Sequence, residues 1–199
     1  MEIIELEQGR PEWFEARLGS IGGSTISSVV AGGQGKMRKN LMYRLAGEIL
    51  SRQSYEGYKN YHMDRGIEQE ADARNMYELM TENELHQVGL IRHSPHKHFS
   101  PDALCGDWGL VEIKSVIPSV HVETIWSGKV PAAYRKQCQW GLFITESDWC
   151  DFVSYSPLVT QRPMWVERVK KDEELIDTLD IAADKFIAEM LEIVEKIRG

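Results

Sequence analysis

Ser100-Pro101-Asp102 and Glu112-Ile113-Lys114 flank Cys105-Gly106-Asp107-Trp108-Gly109, and this arrangement constrains the fold more than any other stretch of the chain. The middle segment predicts a tight turn, and Leu110-Val111-Glu112-Ile113-Lys114-Ser115-Val116 alternates with the period of two expected of a strand. Leu110, Glu112, Lys114 and Val116 then share one face. A carboxylate and an ammonium two residues apart on one face can simply pair with each other or with a neighbouring strand. Asp102 after Ser-Pro is likewise an ordinary turn residue, because Asp side chains bond nearby backbone amides and Pro fixes the turn entry. Together on one predicted hairpin they have a second reading. Asp102 at the end of one strand approaches Glu112 on the next, and the pair supplies hard oxygen ligands suited to Mg²⁺, with the Lys114 ammonium beside them.

Helices are predicted around this hairpin. Glu12 to Arg17 forms a short one, and Gly19 and Gly22-Gly23 mark a close backbone approach before Ser24-Thr25, an N-cap signal for a helix from Ile26. Gly32-Gly33-Gln34-Gly35 opens a flexible loop that runs into Lys36-Met37-Arg38-Lys39, and a long helix follows from Asn40 to about Gln53. That loop joins glycine to the cations of Lys36 and Arg38 and to the apolar Met37. In a helix from about Arg65 to Met80, Ile67, Glu70, Ala73, Arg74 and Tyr77 fall on one stripe. Glu70 therefore faces inward, where a carboxylate must be paired or bound to a cation, whereas Glu68 and Asp72 point to solvent.

Strands are predicted near Gln87 to Arg92, Lys97 to Ser100, Gly109 to Val116, Trp149 to Tyr155 and Met164 to Val169. On a helix from Pro131 to Ile144, Ala133, Gln137, Trp140, Gly141 and Ile144 share a face, so Gln137 points inward, either as a core amide or as part of a site. From Asp172 onward Leu175, Leu179, Ala182, Phe186, Met190, Ile193 and Ile197 recur at spacings of three and four, an amphipathic closing helix. The alternation of helices with a central run of strands gives an α/β class.

The 199 residues suit one domain, 1–199, with a core that needs no disulfides. Cys105, Cys138 and Cys150 form no Cys-x-x-Cys pair and leave an odd count, which fits reduced thiols, and His93, His96 and His98 lack a partner cluster with zinc spacing, leaving them a loop or strand-edge role. No apolar run approaches the roughly 20 residues needed to span a bilayer, and the amino terminus lacks a secretion signal, so a cytoplasmic protein without membrane association is expected. The net charge of −8 argues against nonspecific adhesion to nucleic acid. Its distribution is uneven, with basic residues in excess over the first third and acidic ones over the last, as suits a protein that encloses DNA.

Four blocks in order carry a resemblance. Trp13-Phe14-Glu15-Ala16-Arg17-Leu18-Gly19 with Ile21 and Ser24, Gly66-Ile67-Glu68-Gln69-Glu70-Ala71-Asp72-Ala73-Arg74, the Ser100 to Lys114 segment, and Ala133-Tyr134-Arg135-Lys136-Gln137-Cys138-Gln139 together resemble the lambda exonuclease or YqaJ-like viral recombinase family of the Pro-Asp…(Asp/Glu)-x-Lys nucleases. Ala103 stands where the family commonly has Gly, and Ser115 where Cys-Pro often follows the Lys; neither supplies a ligand side chain.

The resemblance implies a restriction-endonuclease-like core, a central mixed sheet flanked by helices. It implies a Mg²⁺-dependent 5′ to 3′ exodeoxyribonuclease acting on double-stranded DNA ends, with two metal ions per site and Mn²⁺ as an alternative. Asp102, Glu112 and the Ile113 carbonyl would hold one ion, Glu70 and Asp102 would help hold a second, and Lys114 and Gln137 would attend the attacking water. Arg17, Ser24 and Ser100 would bind the terminal 5′-phosphate, and the Gly32 to Lys39 loop, with Lys36, Met37 and Arg38, is the candidate contact for an entering DNA end. A homotrimeric ring, a single-strand annealing partner and a phage or prophage origin in a bacterial host are also implied. The rival readings are an endonuclease or repair nuclease with the same core, or a catalytically silent DNA-end-binding protein.

Overall fold

The computed structural model describes residues 1–31, 35–54 and 61–199. Its principal sheet is ordered β2 (Leu85–His86), β5 (Ala103–Cys105), β6 (Gly109–Ser115), β7 (Trp149–Tyr155), β8 (Met164–Lys170), and a smaller antiparallel sheet is ordered β1 (Glu2–Ile4), β3 (Leu90–Ser94), β4 (Lys97–Phe99). Strands β6 and β7 run parallel and the other pairs of the principal sheet antiparallel, so the sheet is mixed, as expected. A parallel neighbour cannot be reached by a tight turn. The chain instead leaves β6 and returns to β7 through two helices, α5 (Pro118–Ser127) and α6 (Ala132–Thr145). This crossover lays α6 against the strands.

Both faces of the sheet are covered. On one, Leu110, Cys150 and Phe152 pack with Trp140 and Leu142 of α6 and with α2 (Gly23–Val30), α3 (Lys36–Ser51) and α7 (Glu173–Arg198). On the other, Val111, Ile113, Val153 and Tyr155 pack with Ala73 and Tyr77 of α4 (Tyr61–Thr81). Tyr77 donates to Asp151 Oδ2 at 2.7 Å, and Arg168 grips the same carboxylate with two nitrogens at 2.8 and 2.9 Å. Ser115 Oγ donates to Gln69 Oε1 at 2.5 Å. These bonds hold α4 to the sheet, with Glu70 near enough to act on the charges of Asp102 and Glu112.

Several elements depart from the sequence expectation. Helix α2 is capped by Gly22, with Thr25 as its third residue: the Gly22 N–H donates to Thr25 Oγ1 at 3.0 Å, so Ser24-Thr25 lie inside the helix. Helix α3 begins at Lys36 rather than Asn40, which removes Lys36, Met37 and Arg38 from a loop. Gly32 to Gln34, and the side chains of Ile67 and Glu68, lie outside the described residues. Helix α5 and strand β1 carry no sequence signal strong enough to predict them. Helix α7 begins as expected, with the Asp172 carboxylate accepting from the Leu175 N–H at 3.2 Å, and its acidic first turn and basic last turn complement the helix dipole. Its buried stripe is Ile176, Leu179, Ala183, Phe186, Met190 and Val194, and Ile197 is exposed. Among the described residues no helix is long and apolar enough to cross a membrane.

Candidate active site

Ala103 pairs with Val111 across the β5–β6 hairpin, so Asp102, one residue before β5, falls opposite Glu112. The left-handed Gly106 (φ 59°) lets the chain reverse in the short turn that fixes this register. Asp102 Oδ2 accepts the main-chain N–H of Ile113 at 2.6 Å. Glu112 is 1% exposed, and its Oε1 accepts from Lys114 Nζ and from Gln137 Nε2, the latter at 2.5 Å. Its Oε2 is buried with no partner. The Lys114 ammonium also lies 5.6 Å from the centre of the Tyr134 ring. Gln137 and Tyr134 come from α6, Glu70 from α4, and Glu70 is ion-paired with Arg74.

The electrostatics follow from burial and crowding. Burial pushes the Asp102 carboxyl well above the usual range and Glu112 adds to the shift; Lys114 and the Ile113 N–H oppose it, and Glu70 reinforces it. Burial likewise raises Glu112 against the pull of Lys114. For Lys114 burial works to lower the pKa, but the Glu112 and Asp102 carboxylates outweigh it and raise it above that of a free lysine. Carboxylates that repel one another with a buried oxygen unsatisfied fit a cation, because an orphaned buried acceptor costs about 1–3 kcal/mol and more when charged. Among the described residues no three His, Cys, Asp or Glu side chains form a metal cage. The carboxylate oxygens of Asp102 and Glu112 suit a hard ion that takes one or two carboxylates and keeps several waters.

Arg17 sits at a second concavity. Its Nε donates to His98 Nε2 at 3.1 Å and its guanidinium lies 3.8 Å over the Trp13 ring, rather than in a surface pair with Glu12 or Glu15. The cavity is about 150 Å³ and is lined by Arg17, Ser20, Thr25, Arg44, Glu48 and His98 among others. Ser24 is exposed on the first turn of α2, and Ser100 Oγ accepts from Trp13 Nε1 at 3.2 Å; neither lines the cavity. Lys36 and Met37 are exposed, but Arg38 is held by Glu189 at 2.7 and 3.2 Å. His98, assigned by sequence to a loop or strand edge, is buried in β4 with Nδ1 2.7 Å from Ser20 Oγ. His96, two residues before it, bonds the Gly19 carbonyl at 2.8 Å. The His-x-His alternation beside a strand was the available signal for both.

This fold, with opposed Asp and Glu-x-Lys groups on a hairpin of a mixed sheet, defines a restriction-endonuclease-like α/β protein. Residues 12–148 match the YqaJ-like viral recombinase domain, and the chain belongs to that family. It is similar to the alkaline exonuclease LHK-Exo of Laribacter hongkongensis, at 34% identity and TM-score 0.89 over 95% of this chain and 96% of that one. The structure of LHK-Exo in complex with dAMP aligns at TM-score 0.90, with the same identity and coverage. A phage-related exonuclease from Haemophilus somnus 129PT shares the fold at 16% identity and TM-score 0.63, over 87% of this chain and 95% of that one. No curated protein matches the sequence.

Proposed function

We propose that the protein is a Mg²⁺-dependent 5′ to 3′ exodeoxyribonuclease. It digests one strand of linear duplex DNA from a 5′-phosphorylated end, releases 5′-mononucleotides and leaves a 3′ single strand for recombination by annealing. The observation that carries this reading is Glu112, a fully buried carboxylate opposite Asp102 with one oxygen shared by Lys114 and Gln137 and the other unpartnered. Family membership and the 34% identical alkaline exonuclease support it, as does the dAMP complex of that neighbour.

Hydrolysis needs an in-line nucleophile, stabilisation of added phosphoryl charge and a neutralised leaving oxygen. Asp102, Glu112 and the Ile113 carbonyl would hold one Mg²⁺, and Glu70 with Asp102 a second. Bound there, the ions supply Lewis-acid stabilisation and lower the pKa of water. Lys114, kept protonated by its carboxylate neighbours, orients the attacking water and offsets phosphoryl charge instead of removing a proton. Gln137 fixes the Glu112 rotamer from α6. Arg17 offers a planar fork to the terminal phosphate and stays charged, since even its lowered pKa of about 10 lies above neutrality. Residues 1–199 then act as one nuclease domain within a homotrimeric ring, with a single-strand annealing protein receiving the product, in the cytoplasm of a bacterium carrying the phage or prophage.

Time-resolved digestion of linear duplexes that differ only in 5′-phosphorylation, with and without Mg²⁺, tests the reading. Mononucleotide release that needs Mg²⁺ and runs much faster from phosphorylated than from hydroxyl ends is expected. Cleavage of a covalently closed circle identifies an endonuclease instead, and binding without release identifies a silent end-binding protein.

A further inference from the structure

We propose that Arg44 is a second guanidinium of the terminal-phosphate pocket, acting with Arg17 to select 5′-phosphorylated ends; the inference rests on the reading of Arg17 given above. Both residues line the same cavity, Arg17 from the end of α1 (Pro11–Ala16) and Arg44 from α3. Arg44 Nε is buried without a hydrogen-bond partner, and Glu48 Oε1, at 3.8 Å, is beyond hydrogen-bond reach of it. The other oxygen of Glu48 accepts the Gly19 N–H at 3.1 Å, so this carboxylate is occupied by backbone. Two guanidinium groups against one carboxylate leave the pocket net positive. His98 adds no charge, because burial, with help from Arg17 and Arg92, holds its imidazole well below the usual range.

The two cations also work against each other. Burial, and then repulsion from Arg44, lowers Arg17 to about 10, with Glu48 opposing. An anion between them relieves that repulsion and gives the Arg44 N–H its missing acceptor. At about 150 Å³ the cavity equals roughly five water volumes at ~30 Å³ each, enough for a phosphate group and well below the roughly 300–1,000 Å³ of pockets for larger ligands. Its position suits a terminal phosphate. A Cβ on Gly22 would lie 2.6 Å from His98 Nε2 at the cavity wall, and one on Gly23 would lie 3.1 Å from Cγ of Gln137, the amide that holds Glu112. One peptide unit thus separates the pocket from the support of the carboxylate pair.

The test titrates inorganic phosphate into the full chain in EDTA and measures, with Mg²⁺, the ratio of digestion rates on 5′-phosphorylated and 5′-hydroxyl duplexes. Arg44→Gln is expected to weaken phosphate binding and to lower the rate ratio, each by roughly ten- to a hundred-fold, as befits loss of a hydrogen bond to a charged group. Arg44→Lys, which keeps the charge, should recover part of both. Wild-type phosphate affinity and rate ratio in Arg44→Gln overturn the inference while the Arg17 reading survives. A wild-type protein that digests both ends equally overturns the reading and the inference together.

Discussion

Glu112 Oε1 accepts a hydrogen bond from Gln137 Nε2 at 2.5 Å, tying helix α6 to strand β6 beneath the carboxylate pair. The bond is supporting in kind: Gln137 leaves the orphaned Oε2 of Glu112 free to bind a cation while immobilising the rest of the side chain. Loss of such support costs metal sites about 10- to 100-fold in affinity or activity. Gln137→Ala is expected to retain slow turnover and to need more Mg²⁺ for half-maximal rate. A metal titration of the rate checks this, and a curve identical to wild type removes Gln137 from the site.

Asp102→Ala should stop turnover with the fold retained, as judged by circular dichroism and nuclease assay. Retained Mg²⁺-dependent activity counts against the assignment of Asp102.

Asp102→Asn is expected to raise stability in EDTA, because it removes the charge of a half-buried carboxylate that is repelled by the buried Glu112. The gain should be about 0.5–2 kcal/mol. The folded-state pKa of Asp102 is raised, so its charged form penalises the fold only once the pH climbs past the ordinary carboxylate range and through that raised value. The melting-temperature advantage of Asp102→Asn should therefore be full at alkaline pH and fade towards acid. An advantage independent of pH contradicts the electrostatic cause.

Arg17→Ala should slow digestion of 5′-phosphorylated ends much more than of 5′-hydroxyl ends. Loss of one charge-assisted contact suggests a change of roughly ten-fold or more in the ratio of the two rates. Equal loss on both substrates removes Arg17 from the terminal-phosphate pocket.

Gly109→Ala tests the register of β6 against β7. A Cβ there would lie 2.1 Å from the Trp149 ring, the residue opposite it in the parallel pair. Overpacking of this kind costs typically about 1–3 kcal/mol. Denaturant unfolding should show that loss, and Trp149→Leu in the same background should recover part of it; additivity of the two substitutions excludes the contact as the cause.

The hairpin was legible because its causes are local. A glycine at the turn, Pro101 at its entry and the alternation along Leu110 to Ser115 are short-range signals, and together they set Asp102 opposite Glu112. The strands Trp149–Tyr155 and Met164–Lys170 were legible for the same reason, apolar β-branched and aromatic runs bounded by breakers. Helix α5 was not. Its residues Pro118 to Ser127 mix apolar and polar types without a clear stripe, and Trp126 and Val122 remain exposed. The starts of α2 at Gly23 and of α3 at Lys36 were missed because the glycines beside them suggested loop, whereas Gly22 and Gly35 serve as the N-caps.

From the chain alone came the α/β class, the hairpin that presents Asp102, Glu112 and Lys114, and the helical face that turns Gln137 inward. Folding decided how deeply Glu112 is buried, which of its oxygens stays unpaired, and that Arg17, Arg44 and His98 meet at one cavity. The division has a physical basis. Turn geometry and side-chain periodicity act over a few residues, so they are written in adjacent letters. Burial, desolvation and the approach of charges far apart in the chain arise only when helices close over both faces of the sheet.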